Sequence, residues 1–159
     1  MRGILQEDYG VDLGKVRWVT FEEPHVAEFR DPPNVERAAA GKDMTQMLLA
    51  GELDAAIMGE APKEPRIQPL IKDVDAASAA WRRRTGASVQ INHMVVVKEK
   101  VSADFSNKIY EDLLESRNAE PASHPFGIEE NRRNLEAAID CVWRQNMIPR
   151  RFTVEELFR

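Results

Sequence analysis

The sequence predicts an α/β fold whose C-terminal part is entirely helical. Residues 15–21 alternate in polarity and include β-branched and aromatic side chains, as half-buried strands do. Between Asp43 and Gly59, a helical pattern, a glycine and a short apolar run follow one another, which is typical of an α/β unit with a parallel sheet. Beyond Lys98 only helical patterns remain.

In the first half of the chain, glycines and prolines mark the ends of the predicted elements. The first helix covers Arg2–Tyr9 and ends before a glycine, which favours the left-handed conformation found after helices. Three prolines and a high density of charge make residues 22–33 a loop. Asp43 is placed to cap a second helix, Gly51 to end it, and residues 53–59 to follow it as a short buried strand.

The second half begins with an alanine-rich helix over Val74–Thr85, which is again followed by a glycine. Residues 88–98 are the strongest predicted strand, because their run of valines and other apolar residues is typical of a strand buried on both faces. Helical spacing of apolar residues then predicts helices over 104–117 and 128–146. A capping box of Thr-x-x-Glu type, which begins at Thr153, predicts a last short helix.

The composition is that of one ordinary domain or one lobe of a two-lobed protein. Of the 159 residues, 43% are apolar and 31% are charged, which excludes disordered and fibrous classes. A core that buries roughly two-thirds of the unfolded surface is expected at this size. The net charge of −5 argues against nucleic acid as a partner, because such binding depends on neutralising phosphates.

The sequence contains no stretch that approaches the ~20 apolar residues needed to span a membrane. Its first residues lack the charged and then apolar pattern of a signal peptide. We therefore expect no membrane association and a cytoplasmic location.

The sequence has no motif for a cofactor or a metal. Its glycines have neither the dinucleotide nor the P-loop spacing, and its histidines and acidic residues lack the spacing of metal ligands. We therefore predict no cofactor and no metal. The single cysteine, Cys141, lies in an apolar helical stretch, where packing is the ordinary role of a thiol.

One loop carries the residue types of a polar ligand site. Glu22, Glu23, His25 and Arg30 directly follow the predicted strand at 15–21, and the ends of strands line the ligand crevice of open α/β sheets. Imidazoles change charge near neutral pH, and guanidinium groups pair with carboxylates. A charged surface loop is the alternative, and spacing alone does not decide between the two.

Three other polar positions permit a site but also have ordinary structural explanations. His93 interrupts the apolar run of 88–98, so it is either a core or hinge histidine with a polar partner or a site residue. The arginines at 82–84 are interpreted as the solvated end of a helix, where the helix dipole favours cations. His124 lies in a predicted loop and is given no role.

Several stretches, taken together and in this order, resemble the 4,5-dihydroxyphthalate decarboxylase family. The resemblance extends essentially from Arg2 to the C-terminus. The stretches that carry it are RGILQ (2–6), YGV (9–11), WVTFEEPH (18–25), MLLAGELDA (47–55), INHMVV (91–96), PFGIEENR (125–132) and IPRR (148–151).

This resemblance implies a type II periplasmic-binding-protein-like fold, in which two α/β lobes joined by two crossovers hold the ligand between them. It implies that residues 1–91 are the second lobe, and that residues 92–159 are a crossover strand and the C-terminal helices of the first lobe. Family members continue upstream of the RGILQ helix. The resemblance therefore implies that the N-terminal part of the first lobe is absent here.

The reaction that the resemblance implies is the non-oxidative loss of CO2 from a dihydroxy aromatic dicarboxylate, without an organic cofactor. His25 or Glu23 would transfer the proton to the ring carbon. A small aromatic carboxylate would be the ligand, and the candidate residues for binding it are Arg2, Glu22, Arg30 and His93. Two alternatives stay open: a solute-binding protein of the same superfamily for an aromatic acid or other small anion, and a truncated chain without activity.

The resemblance also implies that the C-terminal helices have an apolar face that the rest of the first lobe would cover. We therefore expect self-association of the chain and low stability. The residues expected at that contact are Phe105, Ile109, Leu135, Ile139 and Trp143.

Overall fold

The structure is a computed structural model in which residues 1–26, 28–120 and 125–158 are described. The chain divides into two compact units, Met1–Val74 and Asp75–Arg159. Among the described residues, helices predominate and two strands form one small sheet. The chain is therefore a mixture of helix and strand, in agreement with the predicted α/β class at this level. His124 lies outside the described residues.

The first unit contains two helices and a two-stranded parallel sheet. Helix α1 covers Arg2–Tyr9 and helix α2 covers Met44–Leu49. Strand β1, Trp18–Thr20, pairs in parallel with strand β2, Val35–Arg37. A parallel sheet was predicted from residues 43–59, but the observed pair joins β1 to residues 35–37, which were not predicted as a strand.

The ends of the helices in this unit are set by the residues that the sequence marked. Gly10 has a φ of 68°, and its N–H bonds to the carbonyl of Leu5 at the end of α1. The carboxylate of Asp43 accepts a hydrogen bond of 2.9 Å from the backbone N–H of Gln46 and so caps α2. The predictions for both helices are confirmed.

The second unit is helical. Helix α3 covers Val74–Thr85, starting at the last residue of the first unit, and is followed by α4 at Ala103–Ala119 and α5 at Gly127–Arg144. Helix α6 covers Val154–Leu157 and begins with the predicted capping box. Helices α3, α4 and α5 begin and end within two residues of their predicted limits, and α6 begins directly after Thr153, as predicted.

The core of the second unit lies between α5 and α6. Leu135, Ile139 and Val154 are buried there, and partly buried apolar side chains pack around them from Ile91, Ile148 and Phe158. Because Leu135 and Ile139 belong to this core, the expectation that they contribute to an exposed apolar face is wrong. Phe105 and Trp143 are exposed as expected.

Two predicted strands are wrong. Residues 53–59 and 88–98 form no strand, and Ile57 in the first and Val96 in the second are exposed. Their apolar residues predicted burial in a sheet, but neither segment has a neighbouring strand among the described residues. The strand at 35–37 was missed because three residues are too few to show a period of two.

None of the described helices is both long enough and apolar enough to cross a membrane.

Residues Arg82–Arg84 are exposed at the end of α3, as interpreted from the sequence, and Arg82 donates a hydrogen bond of 3.0 Å to the hydroxyl of Ser78. The thiol-bearing Cys141 is partly buried on α5.

Candidate functional site

The candidate site is built on the loop that follows β1, and Arg37 holds this loop. In the parallel pair Thr20 lies opposite Arg37, so β1 and β2 end at the same edge of the sheet. From the end of β2, the Arg37 guanidinium donates to the carbonyl of Glu22 at 3.0 Å. The same guanidinium contacts a carboxylate oxygen of Glu23 at 2.8 Å and one of Asp31 at 3.0 Å. One cation therefore ties both ends of the loop to the sheet.

Glu22 and Glu23 are thus positioned by their neighbours. The Glu22 carbonyl also accepts a hydrogen bond of 3.2 Å from the Thr20 hydroxyl, while its side chain is exposed. The Glu23 carboxylate is exposed and engaged by Arg37. Because this carboxylate already acts as an acceptor for a cation, His25 is the better candidate for the proton donor.

The imidazole of His25 is exposed, and no hydrogen bond joins it to any residue within 1–26, 28–120 or 125–158. Arg30, also exposed, donates a hydrogen bond of 3.1 Å to the carbonyl of Phe29. His25 and Arg30 are therefore exposed residues of the loop, and Arg37 contacts the loop on either side of them, at the Glu22 carbonyl and at the Asp31 carboxylate.

Arg2 lies on α1, and its guanidinium is stacked on the Trp18 ring at 4.9 Å from the ring centroid. Its Nε is buried without a hydrogen-bond partner among the described residues, as is Oε1 of Gln6 one turn later on the same helix. The indole of Trp18 in turn donates to the carbonyl of Leu13 at 3.4 Å. Arg2 therefore lies at the beginning of β1, whereas the loop of the other candidates follows its end.

His93 belongs to the second unit, in the segment that was predicted as a strand. This segment is irregular and the His93 side chain is exposed. The interpretation of His93 as a core histidine is therefore wrong, because its side chain is exposed, and its role as a site residue stays a prediction.

Sequence reasoning did not find Arg37 or Asp31 as members of the site. Arg37 lies on the strand that was missed, and its role depends on the pairing of that strand with β1. In the sequence, Asp31 is one of several charged residues in the loop. Only the pairing of β1 with β2 shows that the ion pair of Arg37 with Asp31 holds the loop at the edge of the sheet.

A separate cavity of about 290 Å³ lies at the beginning of the two strands and contains none of the predicted site residues. The residues that line it are Lys15, Val16, Arg17, Pro33, Asn34, Val35 and Glu36. Of these residues, Arg17 and Glu36 form an ion pair of 2.7 Å. Because this pair satisfies both charges, the cavity presents no unpaired charge to a ligand from these two residues.

In the part of the chain that the structure describes, no group of three or more His, Cys, Asp or Glu side chains is arranged to hold a metal ion. The chemistry that the site residues offer is proton transfer by an imidazole and carboxylate binding by guanidinium groups.

Comparisons with known proteins connect this chain to one kind of enzyme. No protein-family model matches the chain, and no solved structure matches it. A 4,5-dihydroxyphthalate decarboxylase from Comamonas testosteroni is 30% identical over 96 residues, which cover 53% of this chain and 29% of that protein.

A 4,5-dihydroxyphthalate decarboxylase from Pseudomonas putida is 33% identical over 95 residues, which cover 52% of this chain and 37% of that protein. The chain thus matches about a third of the length of these two relatives. Over about half of its own length, it is similar to 4,5-dihydroxyphthalate decarboxylases.

Proposed function

We propose that this chain is a 4,5-dihydroxyphthalate decarboxylase-like protein that removes one carboxylate, as CO2, from a dihydroxy aromatic dicarboxylate. The observation that carries this proposal is its similarity to two proteins of that name. The loop after β1 supports it chemically, because it presents an imidazole and a guanidinium on an anchored backbone.

The proposed reaction needs a proton donor and a cation. A deprotonated phenolic oxygen para to the leaving carboxylate supplies electrons to the ring, and the ring carbon takes a proton. The bond between that carbon and the carboxylate then breaks, CO2 leaves and aromaticity returns. In this proposal His25 gives the proton.

Binding of the retained carboxylate falls to the guanidinium groups. Arg30 is the first candidate because it shares the loop with His25, and Arg2 is the second. Glu22 and His93 remain proposed substrate-binding positions, and Glu23 is the second candidate for proton transfer. Arg37 acts as a positioning residue in this scheme, since its contacts are with the loop.

We also propose a type II periplasmic-binding-protein-like fold, with residues 1–91 in the second lobe and residues 92–159 in the first. The support for this proposal is the similarity to the two decarboxylases. The compact units divide at a different place, between Val74 and Asp75. An experimental structure of the chain tests the assignment, which requires residues 1–91 to form one α/β lobe and a crossover strand to follow it.

The test of function is CO2 release from 4,5-dihydroxyphthalate by the purified chain and by His25→Gln. Loss of general-acid catalysis lowers rates by roughly 10²–10⁴-fold, so we expect that loss in the variant. Glu28→Gln, in the same exposed loop, is the matched control and should retain activity. Turnover unchanged in His25→Gln contradicts the role of His25. Saturable binding of the dicarboxylate without CO2 release supports the solute-binding alternative instead.

A further inference from the structure

Two polar side-chain atoms of helix α1 are buried without a hydrogen-bond partner among the described residues. They are Nε of Arg2, which is a donor, and Oε1 of Gln6, which is an acceptor. Residues four apart are neighbours on the surface of a helix, so the two side chains lie on one face of α1. Buried polar groups in proteins are normally bonded, and a bound molecule would supply the bonds that this pair lacks.

The charge of Arg2 indicates what kind of molecule this is. The guanidinium lies over the Trp18 ring, 4.9 Å from the ring centroid, and makes no hydrogen bond or ion pair within the described part of the chain. In the same unit, the guanidinium groups of Arg17, Arg37 and Arg66 are each paired with a carboxylate. The group that Arg2 lacks is therefore an anion.

Trp18 holds the guanidinium in a position that favours a planar anion. The indole N–H donates to the Leu13 carbonyl at 3.4 Å, and the backbone N–H of Trp18 donates to the Asn34 carbonyl at 2.8 Å. Because the ring covers one face of the guanidinium, a ligand approaches the N–H groups in the guanidinium plane. A carboxylate accepts two hydrogen bonds in that plane, whereas a tetrahedral sulfate or phosphate places oxygen atoms towards the ring.

The unpartnered oxygen of Gln6 narrows the class of ligand further. Oε1 needs a hydrogen-bond donor, which an ionised carboxylate does not have. A hydroxyl group on the same ligand provides that donor. Both residues are partly exposed and have long side chains, so a change of rotamer gives a small molecule access to the two atoms.

We propose that Arg2 and Gln6 of α1, with Trp18 against the guanidinium, form a binding site for a small hydroxycarboxylate. Arg2 binds the carboxylate, and Gln6 accepts a hydrogen bond from the hydroxyl group. The site lies at the beginning of β1 and is separate from the loop after β1. It does not rest on the proposed decarboxylation, whose proton donor and first carboxylate-binding candidate both lie on that loop.

A titration with glycolate and with acetate, which differ by one hydroxyl group, tests the proposal at constant chloride concentration. The indole N–H resonance of Trp18 reports binding, because this side chain contacts Arg2. We expect a saturable shift with both ligands. Glycolate should bind about three- to tenfold more tightly than acetate, which corresponds to one additional hydrogen bond. Sulfate should give no saturable shift.

Two variants separate the contributions of the two side chains. Arg2→Lys keeps the positive charge but loses the planar set of donors, so both ligands should bind at least about tenfold more weakly. Gln6→Leu should bind acetate as the wild type does, and glycolate no more tightly than acetate. Arg83→Gln, which removes an exposed guanidinium from α3, is the matched control and should behave as the wild type.

Three results overturn the proposal. The first is a wild-type chain without a saturable shift for glycolate and acetate, because water alone would then satisfy the two atoms. The second is equal affinity for glycolate and acetate, and the third is sulfate that binds as tightly as acetate. All three are measured on the wild-type chain, so they decide the question even if a variant misfolds, which circular dichroism would show.

Discussion

Among the described residues, Asn134 is the one polar residue that is buried, and it lies on α5 in the second unit. It is only 2% exposed, and its Oδ1 accepts from the backbone N–H of Ser88 at 2.8 Å and of Val89 at 3.2 Å. Its Nδ2 donates to Oδ1 of Asn131 at 3.0 Å. Through these hydrogen bonds, the Asn134 side chain holds residues 88 and 89, which follow α3, against α5.

We predict that Asn134→Leu destabilises the protein by about 1–3 kcal/mol, because it leaves partly buried N–H groups at residues 88 and 89 without an acceptor. The midpoint of urea unfolding measures the change. Asn107→Leu, on the exposed surface of α4, should change stability by less than about 0.5 kcal/mol. Equal effects of the two substitutions would contradict this role of Asn134.

Arg37 determines how firmly the candidate loop is held. We predict that Arg37→Gln increases the hydrogen exchange of amides between residues 22 and 31 by about three- to tenfold, a modest effect because its ion pairs are partly exposed. Arg17→Gln, which breaks the ion pair with Glu36 at the other end of the same strands, is the matched control. Loop exchange that rises equally in both variants would argue against a specific anchor.

At the scale of elements, the helices could be predicted and the strands mostly could not. A helix satisfies its hydrogen bonds locally, so Asp43 and Thr153 marked the beginnings of α2 and α6 correctly. A strand depends on a distant neighbour, and an apolar run such as 88–98 predicts burial only if that neighbour is present. The candidate loop was found because it is contiguous in sequence, whereas its anchor Arg37 required the sheet register.

The capping box of α6 makes this helix sensitive to acid. The pKa of Glu156 is lowered to about 2, chiefly by the hydrogen bond from Arg150 and further by the backbone N–H of Thr153. A carboxyl group with a depressed pKa in the folded state stabilises that state above its ordinary pKa of 4.5. This contribution is lost as the pH falls through about 2.

We therefore predict that α6 loses helical structure between about pH 4.5 and pH 2, and that Glu156→Gln weakens this dependence. The remaining dependence comes from Glu155, because the hydrogen bond from Arg132 also lowers the pKa of that carboxyl group. Chemical shifts of the amides of Val154–Leu157 across an acid titration report it. Glu115→Gln, at an exposed position on α4, provides the control and should leave the titration unchanged. A helix that is equally stable at pH 2 and pH 6 would refute the prediction.

At the scale of the whole molecule, few apolar side chains are buried. Among the described residues, the buried apolar side chains are those of Leu13, Ala87, Leu135, Ile139 and Val154. A chain of 159 residues is expected to bury roughly two-thirds of its unfolded surface, which needs a larger core. The composition shows that the chain has enough apolar residues for a core, but it does not show which of them pack together.

We predict that the chain unfolds with low cooperativity. Its urea m-value should lie below the range of about 1–3 kcal/mol/M that is typical of small compact proteins. The reason is that little apolar surface becomes newly exposed when so few side chains are buried. Urea titration followed by circular dichroism measures this value. A sharp transition with a large m-value and a high melting temperature would contradict the prediction.

The proposed decarboxylase function is tested most directly by CO2 release from 4,5-dihydroxyphthalate labelled in its carboxyl groups. The proposal predicts release of one CO2 per substrate molecule by the purified chain, with loss of that release in His25→Gln and its retention in Glu28→Gln. The absence of any labelled CO2 from a folded chain that binds the dicarboxylate would contradict it.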